Sequence, residues 1–112
     1  MRINFGIVYN NGVDTFRPDF MVKFKNGTVG IFDTRPIDYR VDDTKIKLEA
    51  LIKYIRDTNF NRGHSPKVVG GIVVKYNSVF YYYDKFECHD FKENSEDWKT
   101  FDELLREITL SN

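Results

Sequence analysis

A mixed α/β domain is the fold class that this sequence predicts, and three patterns predict it. Apolar residues alternate with period two in 2–10 and again on either side of Asn26-Gly27; a helical-period stretch follows around 44–56; and Val68-Val69-Gly70-Gly71-Ile72-Val73-Val74 is a near-continuous apolar run of the kind found in buried central strands. A strand, a helix and another strand in that order imply a right-handed crossover, so the strand at 68 should lie parallel to the strand ending near Asp33. The expected architecture is a mixed central sheet of about five strands, the first three antiparallel, with one crossover helix and a C-terminal helix. With 112 residues, 41% hydrophobic and 16% aromatic, the chain has the large side chains for one modest core, and residues 1–112 are expected to form a single domain.

The elements follow in order. Ile3, Phe5, Ile7 and Tyr9 alternate with Asn4, Gly6 and Val8 and predict a first strand over about 2–10, ended by Asn10-Asn11-Gly12. Residues 13–17 lead into a second strand at Pro18-Asp19, where proline at the first position costs no ladder hydrogen bond. The first and second strands are expected to be antiparallel neighbours. Phe20, Val22, Phe24 and then Val29, Ile31 form a hairpin around Asn26-Gly27, whose residues both tolerate positive φ. Pro36 to Asp42 breaks the third strand, and a helix opens near Asp43 or Thr44, with Asp42, Asp43 or Thr44 as cap and Leu48, Leu51, Ile52 and Ile55 as its apolar face. Asn59 to Pro66 is a loop by composition. Val68 to Tyr76 and Val79 to Tyr83 are strands joined by a tight Asn77-Ser78 turn, and Gly70-Gly71 suggests close approach by the packed helix. Phe80, Tyr81, Tyr82, Tyr83 and Phe86 suit the core or a subunit contact better than an exposed base-stacking platform. Ser95 is a candidate cap for a last helix through about Thr109, with Trp98, Phe101, Leu104, Leu105 and Ile108 as its stripe.

The central hairpin carries the chemistry. It places an acid near each open end, Asp19 and Asp33, with Arg35 two residues beyond the second. Two carboxylates held side by side repel each other, and a divalent cation with a preference for oxygen relieves that repulsion. Whether they meet depends on the turn. A two-residue turn at Asn26-Gly27 puts Phe20 opposite Asp33 and sends Asp19 to the other face. A three-residue Lys25-Asn26-Gly27 loop with Gly27 left-handed pairs Phe24 with Thr28 and brings Asp19 opposite Asp33. Asn-Gly suits both.

Pro18-Asp19, the hairpin, Asp33-Thr34-Arg35 and the helix DTKIKLEALIKYI together resemble the PD-(D/E)xK, or restriction-endonuclease-like, nuclease superfamily, and are most similar to the nuclease modules of helicase-type restriction subunits. The likeness spans roughly residues 3–76. It implies a DNA endonuclease whose two acids, here Asp19 and Asp33, bind Mg²⁺ (or Mn²⁺), a DNA substrate, and a helicase/ATPase domain or subunit as partner or as the rest of a larger chain. The lysine that closes the family motif is Arg35 here, and the sequence starts almost directly in the expected first strand, where the family often has a further acidic residue on a helix. Arginine stays charged at any working pH, so Arg35 can clamp a phosphate or steady a transition state but cannot exchange a proton. Lys45 or Lys47, at the start of the following helix, could supply the missing lysine, as the resemblance permits; a solvated basic face of an amphipathic crossover helix is the plainer account of both. Glu49 reads as a further acidic group or as a surface ion-pair partner of Lys45 or Lys53.

Charge and cysteine content bound the rest. Net charge is zero, but residues 1–85 carry 14 Lys/Arg against 9 Asp/Glu and residues 86–112 carry 3 against 8, so a polyanion-binding face would lie away from the acidic tail. The single cysteine, Cys88, excludes an intramolecular disulfide; with no signal-peptide pattern and no apolar run of membrane length, a cytoplasmic, non-membrane location is expected. Cys88, His89 and His64 do not make a zinc site or a nucleophile triad. Three readings remain: a metal-dependent phosphodiesterase, a nuclease-like module that binds nucleic acid or assembles without cutting, and an unrelated interaction domain.

Overall fold

The computed structural model describes residues 6–9, 12, 14–63, 67–93 and 95–110. Among them the chain forms β1 (Ile7–Tyr9), β2 (Asp14–Phe16), β3 (Phe20–Lys23), β4 (Val29–Thr34), α1 (Val41–Arg62), β5 (Val68–Tyr76), β6 (Val79–Tyr83), β7 (Lys99–Thr100) and α2 (Phe101–Leu110). β3 to β7 build a five-stranded mixed sheet in sequence order, in which β4 and β5 are parallel and the other neighbours antiparallel. The expected α/β class, mixed sheet, crossover helix and C-terminal helix are all formed.

Alternation along the strands divides the core into two. Ile31, Val68, Ile72, Val74 and Tyr83 face α1 and pack with Leu48, Leu51, Ile52 and Ile55, the apolar stripe read from the sequence, together with Ile7 and Phe16 from the β1–β2 hairpin. Phe32, Val73 and Tyr82 face the other way, onto Leu104 and Ile108 of α2, with Phe20, Val22 and Phe101 around them. The result is three layers, α1 and the small hairpin on one side of the sheet and α2 on the other. Phe32 has no exposed surface, and its ring lies 5.4 Å from Phe20 and 5.1 Å from Phe101, so it ties α2 to the β3 edge.

Several elements differ from expectation, each for a local reason. β1 does not neighbour the strand after Pro18; it pairs with Asp14–Phe16 in a separate two-stranded sheet, so the central sheet begins at β3. Residues 2–5 of the expected first strand lie outside the described residues, as do His64, Ser65 and Pro66. α1 starts at Val41, with Arg40 as cap residue and no side-chain capping bond, so Asp42 and Asp43 sit in the first turn, where their charge complements the helix dipole. It also runs through Asn59 to Arg62 instead of ending in a loop. Asn59 explains the extension: its amide donates to Val68 O (2.9 Å) and accepts from Val68 N (2.7 Å), clamping the helix end to the first residue of β5.

At the C-terminal end, Lys99 and Thr100 pair with Tyr82 and Tyr81 as the fifth strand, and the helix begins only at Phe101. Ser95 closes a turn, accepting from Asp97 N, while Thr100 Oγ1 accepts from Glu103 N (3.2 Å) and is the true helix cap. The Gly70-Gly71 pair answers to the neighbouring strands and not to the helix: a Cβ on Gly70 would meet Ile31 O at 1.9 Å, and one on Gly71 would meet Tyr83 O at 2.0 Å. After β6 the irregular segment is held on the α1 face, where Tyr39 donates its hydroxyl to His89 O, Tyr83 donates to Glu87 O, and Trp98 packs 5.0 Å from the Tyr83 ring.

Candidate active site

The register of the β3–β4 hairpin settles where the acids go. Phe20 lies opposite Phe32 and Lys23 opposite Val29; Phe24 N donates to Thr28 O (2.8 Å) and Gly27 N to Phe24 O (2.9 Å). This is the three-residue Lys25-Asn26-Gly27 loop, with Gly27 at φ 91°, a conformation that favours glycine. Asn26 stabilises it by accepting from Thr28 N (2.9 Å), and it donates to Ile108 O (3.2 Å) on α2. Continuing the register one residue past Phe20–Phe32 brings Asp19 opposite Asp33, on the α1 side of the sheet.

The two carboxyl groups line the same pocket, and each perturbs the other's ionisation. Asp19, exposed, receives two donors on one oxygen: Thr34 N donates to Oδ2 at 2.8 Å and the Thr34 hydroxyl donates to the same atom. Asp33, only 4% exposed, pairs through Oδ2 with Arg35 Nη2 at 2.9 Å. Together with Thr15, Phe16, Arg17 and Lys47 these residues line a pocket of about 260 Å³. Three cationic side chains therefore surround two acids.

The environments pull the pair apart. Partial burial alone would raise Asp19, but the Thr34 hydroxyl and amide, with Asp33 and Arg35 nearby, outweigh it and hold the carboxyl below its ordinary value. Burial pushes Asp33 up to about 6, against the attraction of Arg35 and Lys47 and with the repulsion of Asp19 added. A proton shared by the pair accordingly resides on Asp33.

Of the residues singled out from sequence, Asp19, Asp33, Arg35 and Lys47 are gathered here. Lys45 is exposed and does not line the pocket; its charge is felt at Cys88, which is buried and whose thiol burial pushes up. Glu49 faces a different and wider groove of about 870 Å³ between the β1–β2 hairpin and α1, whose charges include the Lys53–Asp57 ion pair at 2.9 Å. That groove is larger, but the paired carboxyls are not in it, and chemistry follows the titratable groups more than the volume. Thr34 is the site residue that sequence reading missed. Its signal was its place between Asp33 and Arg35, where a hydroxyl at a strand end can reach the opposite strand's acid.

Among the described residues no group of three or more His, Cys, Asp or Glu converges. The donor set is nonetheless hard oxygen throughout, with Thr34 engaging Oδ2 of Asp19 and Arg35 engaging Oδ2 of Asp33. Such a site fits Mg²⁺ or Mn²⁺, since Mg²⁺ commonly binds through one or two carboxylates and keeps several waters. It does not fit zinc, which favours nitrogen and sulfur.

Fold and site thus define a three-layer α/β domain with a paired-carboxylate pocket at the open end of its edge hairpin. No protein-family description, curated protein or solved structure matches the chain. No described helix is long and apolar enough to cross a membrane.

Proposed function

We propose that this chain is a restriction-endonuclease-like domain of the PD-(D/E)xK kind, hydrolysing DNA phosphodiester bonds with Mg²⁺ or Mn²⁺. One observation carries the reading: Asp19 and Asp33 meet on one face of the sheet, in a pocket they share with Arg35 and Lys47. The order of parts supports it as well, with acid, hairpin, acid-x-cation and then a helix that brings Lys47 to the pocket.

In this reading Asp19 and Asp33 would hold the ion through their carboxylates. The bound ion supplies a water of lowered pKa and positive charge beside the phosphate. Arg35 and Lys47 neutralise the scissile phosphate and the charge that develops on it. Arg35 remains protonated throughout, so it positions and does not relay protons. Burial raises Asp33 to about 6 in the metal-free protein, and the proton competes with the cation for this carboxylate, so lower pH weakens metal binding. α2 lies across the sheet from this pocket, so its acidic Asp102 and Glu103 do not face the DNA approach. The sequence resemblance extends the proposal to a helicase or ATPase partner.

A second reading rests on the Arg35–Asp33 ion pair: an arginine that satisfies the buried acid by itself suits a nuclease-like module that binds nucleic acid or assembles without cutting it. Supercoiled plasmid incubated with Mg²⁺ or Mn²⁺ separates the two. Metal-dependent nicking that is lost in both Asp19→Asn and Asp33→Asn supports the hydrolase; salt-sensitive DNA binding with no nicking at any metal concentration supports the silent module.

A further inference from the structure

We infer that Thr34 is the positioning residue of the acid pair: by donating both its main-chain N–H and its hydroxyl to Asp19 Oδ2, it replaces the missing end of the β3–β4 ladder and presents Asp19's other oxygen beside Asp33. The inference rests on the metal-site reading above and assigns to Thr34 the task of making that site competent.

The argument starts from the ladder. β3 begins at Phe20, and the residue before Asp19 is Pro18, so regular pairing with β4 stops one step short of the acids. Along a strand, successive N–H groups point to opposite sides. Arg35 N–H goes to β5, donating to Val73 O at 2.8 Å. The N–H of Thr34, one residue earlier, therefore faces the β3 side, where no further strand carbonyl pairs with it. Asp19 Oδ2 takes that bond at 2.8 Å, and the Thr34 hydroxyl adds a second to the same oxygen. An orphan ladder donor is satisfied by a side chain in place of a carbonyl.

Two donors on one oxygen fix both torsions of an otherwise exposed aspartate. Asp33 needs no such help, because its side chain is buried and paired with Arg35. Asp19 lies outside the strand and at the surface; without Thr34 its carboxylate would sample several rotamers, most of them pointing away from Asp33. Orienting contacts of this type commonly set metal affinity by about 10- to 100-fold. The hydroxyl is the replaceable half of the clamp, since every residue but proline keeps the N–H at 34.

The test is Mn²⁺ binding measured by electron paramagnetic resonance at pH 7.5, without DNA, on the wild-type chain, Thr34→Val and Thr34→Ser. Thr34 is exposed, so neither change opens the core, and thermal melting checks that each variant is folded. The expected result is a loss of affinity of about tenfold or more in Thr34→Val, with Thr34→Ser within about threefold of wild type. Should valine prove unfolded, Thr34→Ala replaces it, with the same loss expected. Equal affinity in the folded hydroxyl-free variant and wild type overturns the inference while leaving the metal site standing. Equal losses in valine and serine also overturn it, because the methyl group and not the hydroxyl would then matter. No Mn²⁺ binding by the wild-type chain at millimolar metal removes the metal-site reading itself, and the inference with it.

Discussion

Asp33 is a carboxyl held against its own charge, since the surroundings that bury it favour the neutral form and Arg35 only partly offsets them. Its folded value of about 6 lies above the ordinary aspartate value near 4. The neutral acid therefore stabilises the fold fully below the ordinary value, and that stabilisation is lost as pH rises through about 6. Asp33→Asn keeps a neutral side chain at every pH. In metal-free buffer, urea unfolding should show the wild type losing about 2 kcal/mol relative to Asp33→Asn between pH 4.5 and 7.5; parallel profiles for the two proteins would contradict the assignment. Arg35 and Lys47 invite a matching pair of changes. Because Lys47 already lines the pocket, Arg35→Lys should alter the nicking rate by less than about threefold, whereas Lys47→Ala should lower it by about 100-fold in single-turnover assays. From sequence, Lys45 and Lys47 were indistinguishable. Only the helix's rotation against the sheet, fixed by Thr44, Leu48 and Leu51 entering the core, turns Lys47 toward the acids.

The elements were legible where one period dominated. β5 and β6 begin and end at the residues expected, because an apolar run and a tight Asn77-Ser78 turn leave no competing assignment, and both turn residues take positive φ. Boundaries failed where tertiary contacts outvoted local pattern. Asn59 reads as a loop residue until its amide is seen to bridge to Val68, and Lys99–Thr100 read as helix until they pair with β6. Trp98 falls on the helical stripe only by coincidence of spacing and in fact packs against Tyr83 and Phe91. A better signal was present: Thr100 followed three residues later by Glu103 is a capping-box spacing, and the structure uses it. Thr100→Ala should cost about 1 kcal/mol by urea denaturation, while Ser95→Ala should cost no more than a few tenths. The reverse order would return the helix start to Ser95.

At the scale of the molecule, the topology followed from the crossover rule, which makes β4 and β5 parallel and sets α1 over them, and the convergence of the acids followed from a single turn. That turn was not legible. Asn-Gly serves two-residue and three-residue loops alike, and one residue of slip would have put Asp19 and Asp33 on opposite faces. What chose between them lies far away in sequence: Asn26 reaches Ile108 O on α2, and Phe32 must face α2 to fill its place between Phe20 and Phe101. The core on one side of the sheet thus determines the chemistry available on the other. The N-terminal hairpin was misjudged because a period-two pattern says that a strand exists, not which strand it joins. Crystals soaked in Mn²⁺ and measured for anomalous scattering test the central claim most directly. The account predicts one peak per chain, bridging Asp19 and Asp33 and absent from Asp33→Asn crystals; a fully soaked crystal with no peak between those two carboxylates would contradict it.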